Sequence, residues 1–130
     1  MTRSRSFTGT VTTAVLVVVF GSQWVSDWLD KQFTGDLTAT SIGEMLASGT
    51  ASGSGVYVAV ERVTGTLAGR TGSFVLHHTG IMNRGVPSLS VNVAPDSATD
   101  QLVGLTGSMQ IIIAGGKHSY DFSYAIPDAT

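Results

Sequence analysis

Two glutamates and three histidines are the side chains in this 130-residue sequence best suited to moving protons. Both glutamates fall in runs that alternate as strands do. Glu61 shares a phase with Tyr57, Ala59 and Val63, and Glu44 with Ile42 and Leu46. A carboxylate on an apolar face is desolvated, which raises its pKa and makes it a usable acid or base. Plainer roles stay open: Glu44 turned outward by a register shift at Gly35, and Glu61 paired structurally with Arg62 or Arg70. His78 lies on the face of Phe74 and Leu76, whereas His77 goes with Val75 and Thr79, because neighbouring strand residues point opposite ways. His78 is therefore expected inside, either shuttling a proton or packed as a satisfied core histidine. His118 opens the last strand and is expected at a rim. Tyr57, Tyr120 and Tyr124 can donate hydrogen bonds to an oxygen that gains charge, or pack in the core with the hydroxyl at the surface. Trp24 and Trp28 can stack on a planar substrate at the mouth of a cavity, or pack against a neighbouring subunit. Phe74 and Leu89, on apolar strand faces, complete the expected ligand contacts.

Other chemistries lack their residues. There is no cysteine, so disulfide scaffolds, thiolate zinc sites and cysteine nucleophiles are excluded. The histidines and acids show no close ligand spacing, so no metal is expected. No phosphate loop, dinucleotide fingerprint or calcium loop is present, and no cofactor is expected. Ser54, Ser73 and Ser119 lack a nucleophile-elbow context. The formal net charge of -2 argues against nucleic acid, which requires a clustered basic surface. Only 12% of residues are charged, about half the usual ~25%. So few charges imply a partner, a large apolar cavity, or both.

The elements that must position these residues are strands. Glycine is 16 of 130 residues, and with abundant Val and Thr it reads as short strands joined by tight turns. A first strand is expected over Thr8 to Phe20. The segment Gln23 to Asp30 is ambiguous between helix and strand. An extended element runs from Leu29 to Leu46, with Gly35 read as a bulge. Further strands are expected at Val56 to Leu67, Ser73 to Ile81, Ser88 to Ala94, Ser108 to Ala114 and His118 to Ile126, with turns at Ala68–Gly72, Asn83–Gly85 and Gly115–Lys117. No helix of ten residues is convincing. Strands at this spacing indicate an antiparallel barrel or sandwich, and a barrel, which removes its own edges, suits a chain with few charges. The expectation is an all-β fold: a closed antiparallel barrel of about eight strands with little or no helix. Residues 1–7 form a flexible N-terminal tail, 8–126 a single barrel domain and 127–130 a C-terminal tail.

Arg3 and Arg5 before the apolar run Val11 to Phe20 mimic a secretory signal. The run is short of the ~20 residues of a membrane span, is rich in β-branched residues, and is followed by Gly21-Ser22-Gln23-Trp24 without a small-x-small site. It is read as a strand, and the protein as cytoplasmic, with no membrane partner.

Several segments together carry a family resemblance. They are Phe33-Thr34-Gly35-Asp36-Leu37, the stretch Val60 to Leu76 with Glu61-Arg62, Gly65-x-Leu67 and Gly69-Arg70-x-Gly72-Ser73-Phe74, then His78-x-Gly80, Leu102 to Gly107 and His118-x-Tyr120. The chain resembles a bacterial family of small proteins of unassigned function with an allene-oxide-cyclase-like barrel. The resemblance implies a roughly eight-stranded closed barrel with a central cavity, and a homo-oligomer, dimer or trimer. Similar barrels include cyclases of lipid epoxides, plant dirigent proteins and cyclases of polyketide-like intermediates, which is analogy of fold alone. This sequence departs from the pattern in its short Gly21 to Asp30 connection with two Trp, in His77 where Gln is common, and in the apolar run Met109 to Ile113. Each change makes a mouth or cavity more apolar.

The function expected is therefore a cofactor-independent cyclase, isomerase or dehydratase acting on an apolar, polyketide-like or polycyclic intermediate. Glu61 or Glu44 with His78 would move the proton, and Tyr57 or Tyr124 would hold an oxygen. The alternative is a barrel that binds or carries a hydrophobic small molecule without catalysis.

Overall fold

A computed structural model of the chain describes the backbone of residues 2–20, 24–114 and 117–127, and the side chains of residues 9–11, 30–112 and 118–127. Eight strands follow one another: β1 (Thr2–Phe20), β2 (Trp24–Thr34), β3 (Leu37–Gly49), β4 (Gly55–Leu67), β5 (Arg70–Asn83), β6 (Val86–Val93), β7 (Thr106–Ala114) and β8 (Lys117–Pro127). Each pairs antiparallel with the next, and β8 returns to β1, closing the barrel. The one other element is a single 3-10 turn, Asp100–Leu102. Among the described residues, no helix is long and apolar enough to cross a membrane.

The turns follow from backbone sterics. At Ala68–Gly69 and Arg84–Gly85 both residues have positive φ, the geometry that matches the right-handed twist of two-residue hairpins. Gly35 is not a bulge inside one long element. It has φ 112° and, with Asp36, makes the turn between β2 and β3. The first strand also begins earlier than expected. Residues 2–10 are no tail, because their backbone pairs with β8 from Arg3↔Ile126 to Thr10↔Ser119. The ambiguous Gln23 to Asp30 segment is strand from Trp24 onward.

Among the described residues the barrel is filled at one end, and toward the other a cavity opens between β3, β4, β5 and β6. At the filled end Phe33, Leu37, Leu67, Phe74, Tyr120 and Phe122 pack together, and Leu102 and Leu105 cap them from the β6–β7 connection. That connection also completes the sheet. Beyond β6, residues 71–75 of β5 lose their strand partner, and the loop supplies one. Ala94 N donates to Val75 O and Thr99 N to Ser73 O, both at 2.8 Å. Ser73 N donates to Thr99 Oγ1, Val75 N to Ser97 Oγ and Thr71 N to Gln101 Oε1. The polar run Asp96 to Gln101 thus satisfies backbone groups that would otherwise be unpaired.

At the open end the β3–β4 and β5–β6 turns are tied together by Gly85 N to Gly53 O and Arg84 N to Ser54 Oγ. On the far side of β6 the wall is thin. Among the described residues β6 and β7 pair at Val91↔Met109 and Asn92↔Ser108 alone.

Candidate functional site

Alternation along the strands decides which polar groups enter the lumen. Glu61 enters from β4, and its side chain is completely buried. It faces Gly43 in the β3–β4 register. A Cβ on Gly43 would fall 2.6 Å from the Glu61 Cβ and 2.4 Å from the Val60 carbonyl oxygen, so the close approach requires glycine.

Three other strands send partners to this carboxylate, β3 and β5 beside it and β2 one strand further. Lys31 Nζ from β2 lies 3.0 Å from Glu61 Oε2, and Ser41 Oγ from β3 donates to the same oxygen at 3.4 Å. His78 Nε2 from β5 lies 3.4 Å from Oε1. That last contact is electrostatic and not an aligned hydrogen bond, because neither atom has a hydrogen-bond partner. Burial pushes the Glu61 carboxyl up, but the contact with His78 and the charge of Lys31 outweigh it and hold the carboxyl below its ordinary value. Glu61 is thus an ionised group inside an apolar barrel.

Above this cluster, toward the open end, lies an apolar cavity of about 460 Å³. Its walls include Ala47, Tyr57, Gly80, Met82, Pro87 and Leu89. Tyr57 pairs with Gly80, and its ring lies where a Gly80 side chain would be: a Cβ there would meet Tyr57 Cε1 at 1.9 Å. Burial and the charge of Glu61 raise the Tyr57 phenol, so it remains a hydrogen-bond donor at neutral pH. His78 is two residues deeper than Gly80 on the same inward face and pairs with Ala59. Tyr57 and His78 are diagonal neighbours across the β4–β5 pair, ~7–8 Å apart at the backbone.

The structure sorts the expected site residues into four groups. Glu61, His78, Tyr57 and Leu89 come together at the cavity or directly beneath it. Glu44 does not: β3 turns Leu37, Ala39 and Ser41 inward and Glu44 outward into solvent. Phe74, Tyr120 and Tyr124 belong to the packed core and not to the cavity wall. Phe74 stacks on Phe122, Tyr124 lies against Phe122, and the Tyr120 hydroxyl donates to Thr34 O at 2.9 Å. Burial, with the charge of Asp36, raises the Tyr120 phenol. Trp24 and Trp28 pair by backbone with Ser48 and Glu44, and their side chains lie outside the described residues. His118 is exposed at the start of β8.

Lys31 and Ser41 are site residues that sequence reasoning did not select. The signal was present, since Lys31 shares its phase with Leu29 and Phe33, and Ser41 with Leu37 and Ala39. An inward lysine needs a buried anion, and Glu61 is that anion. Among the described residues no three His, Asp or Glu side chains are grouped to hold a metal ion.

A family model described as a protein of unknown function (DUF3224) matches residues 7–124. No curated protein matches the chain. A crystal structure of a protein with unknown function from the DUF3224 family of Shewanella oneidensis MR-1, at 1.84 Å resolution, is similar at 40% sequence identity and a TM-score of 0.90, covering 98% of this chain and 100% of that one. The chain belongs to the DUF3224 family, a family of unknown function with this closed barrel.

Proposed function

We propose that the protein is a proton-transfer enzyme, a cyclase, isomerase or dehydratase, acting on an apolar small molecule that carries a carbonyl group. The observation that carries this reading is the buried Lys31–Glu61–His78 chain beneath an apolar cavity with Tyr57 in its wall. A buried ion pair is a poor source of stability, since desolvation offsets most of its attraction. Its cost is better accounted for by chemistry.

The roles follow from access. Glu61 is sealed from the cavity, so it is a positioning residue and acts through His78. Its Oε1 faces Nε2 and favours the proton there, leaving Nδ1 as the nitrogen that serves the ligand. The ligand's apolar body rests on Tyr57, Met82, Pro87 and Leu89, and its carbonyl oxygen accepts the Tyr57 O–H. His78 takes a proton from the carbon beside the carbonyl, and the electron pair moves onto the oxygen held by Tyr57. The resulting imidazolium is stabilised by Glu61. Return of the proton to a different carbon isomerises the ligand. Expulsion of a β-hydroxyl as water dehydrates it, and attack of the enolate carbon on a second carbonyl closes a ring. All three outcomes share the first step.

Deuterium uptake from D2O into 2-tetralone, an apolar enolisable ketone, tests the shared step. The wild-type protein should accelerate exchange above buffer, and His78→Gln should lose about 100-fold or more of that acceleration. Equal exchange by wild type and His78→Gln would refute the assignment. Binding of the ketone with no acceleration would leave the barrel as a carrier of an apolar molecule in the cavity.

A further inference from the structure

The outer face of β3 and β4 is unusually apolar for a surface. Ile42, Leu46, Val56, Val58 and Val60 are exposed there, joined by Ile81 from β5. Their register makes one patch: Leu46 pairs with Val58, and Val56 is flanked by Ser48 and Ile81. The charges around this patch are segregated. The acids Asp30 and Glu44 lie on its β2–β3 side, where Asp30 pairs with Ile42. Arg62 and His77 lie on its β4–β5 side, Arg62 also beside Ile42 and His77 beside Val60. All four are exposed. Between Glu44 and Arg62 the surface dips into a recess of about 380 Å³ bounded by Ile42, Gly43, Val60 and Val75.

We propose that this face is a two-fold dimer interface occupied by a second copy of the same chain. The argument is self-complementarity. A two-fold axis lying in the plane of the interface, parallel to the strands and between β3 and β4, exchanges the two sides of the patch. It lays the acidic side of one copy over the basic side of the other, apolar centre on apolar centre. Glu44 then meets the partner subunit's Arg62, twice per dimer. An unrelated partner would have no reason to need acid and base arranged in this exchangeable way. The patch reaches the rim of the open end through Val56 and Ile81, and the thin β6–β7 wall remains outside the contact. The inference is independent of the proposed chemistry in the lumen.

Sedimentation equilibrium of the full chain tests it. The wild type should be a dimer at micromolar concentration, and Val58→Asp a monomer. Glu44→Arg and Arg62→Glu should each raise the dissociation constant about tenfold. The double variant Glu44→Arg/Arg62→Glu restores opposite charges across the axis and should return to within about threefold of wild type. All these side chains are exposed, so circular dichroism should show an unchanged fold. A monomeric wild type, a trimer or larger assembly, a dimer indifferent to Val58→Asp, or a double variant as weak as the single ones would overturn the proposal.

Discussion

Glu61 and Lys31 leave water to meet in the lumen, and the structure compensates them with each other, with Ser41 and with His78. Breaking such a pair from one side strands a buried charge. Glu61→Gln should therefore lower the unfolding free energy by about 3–5 kcal/mol, as read by urea denaturation at pH 7. The double change Lys31→Met/Glu61→Leu removes both charges and should recover most of that loss. The pH dependence has a definite sign. The folded Glu61 carboxyl lies below its unfolded value of 4.5, so its stabilising contribution is complete above the unfolded value and is lost as pH falls through the folded one. The wild type should lose stability through that acid window more steeply than Glu61→Gln. At the mouth, Gly80→Ala would drive the Tyr57 ring from its seat and should cost about 1–3 kcal/mol. Half of this site was legible before any coordinates. Glu61, His78 and Tyr57 stand in apolar phases with chemistry to offer. Lys31 is harder to select from sequence, because a lone inward lysine makes sense only beside its anion, which lies 30 positions later and two strands away.

Strands were legible as elements, since alternation and turn residues mark nearly all of them. Which face of a strand looks inward was harder to read. On β3 and β4 both faces are apolar: Ala39 and Val63 point in, while Ile42, Val58 and Val60 point out. Glu44 was correctly placed in phase with Ile42 and Leu46, but that phase is the outer one. Gly35 misled for a related reason, because alternation continues on both sides of a two-residue turn. The β6–β7 connection was read as a loop and a short bridge, yet its side chains serve as a substitute strand. Thr99→Val removes the acceptor for Ser73 N and should cost about 1–3 kcal/mol in thermal unfolding for the amide left unpaired. In β6, residues Val86 to Ser90 pair on the β5 side alone. Their amides should exchange with D2O faster than those of the central β4 strand, which is paired on both sides.

Eight strands close into a barrel that, among the described residues, is packed at one end and holds a cavity between β3 and β6 toward the other. The filled end supplies the hydrophobic contacts that hold the barrel, which is why Phe74, Tyr120 and Tyr124 are structural. The open end is free to specialise, and there the apolar wall and the His78–Glu61 contact meet. Eight strands and their closure follow from turn spacing and composition. The division into a solid half and a hollow half does not, because it depends on how Leu102 and Leu105 fold back under the sheet. NMR titration of the isotope-labelled protein with 2-tetralone tests the hollow half most directly. Saturable shifts should concentrate at Tyr57, Gly80, Met82 and Leu89 and extend to His78, while Leu102, Leu105 and, on the outer face of β3 and β4, Ile42, Val58 and Val60 stay unmoved. Shifts confined to that outer face, or no shifts at all, would contradict a mouth built to receive an apolar molecule.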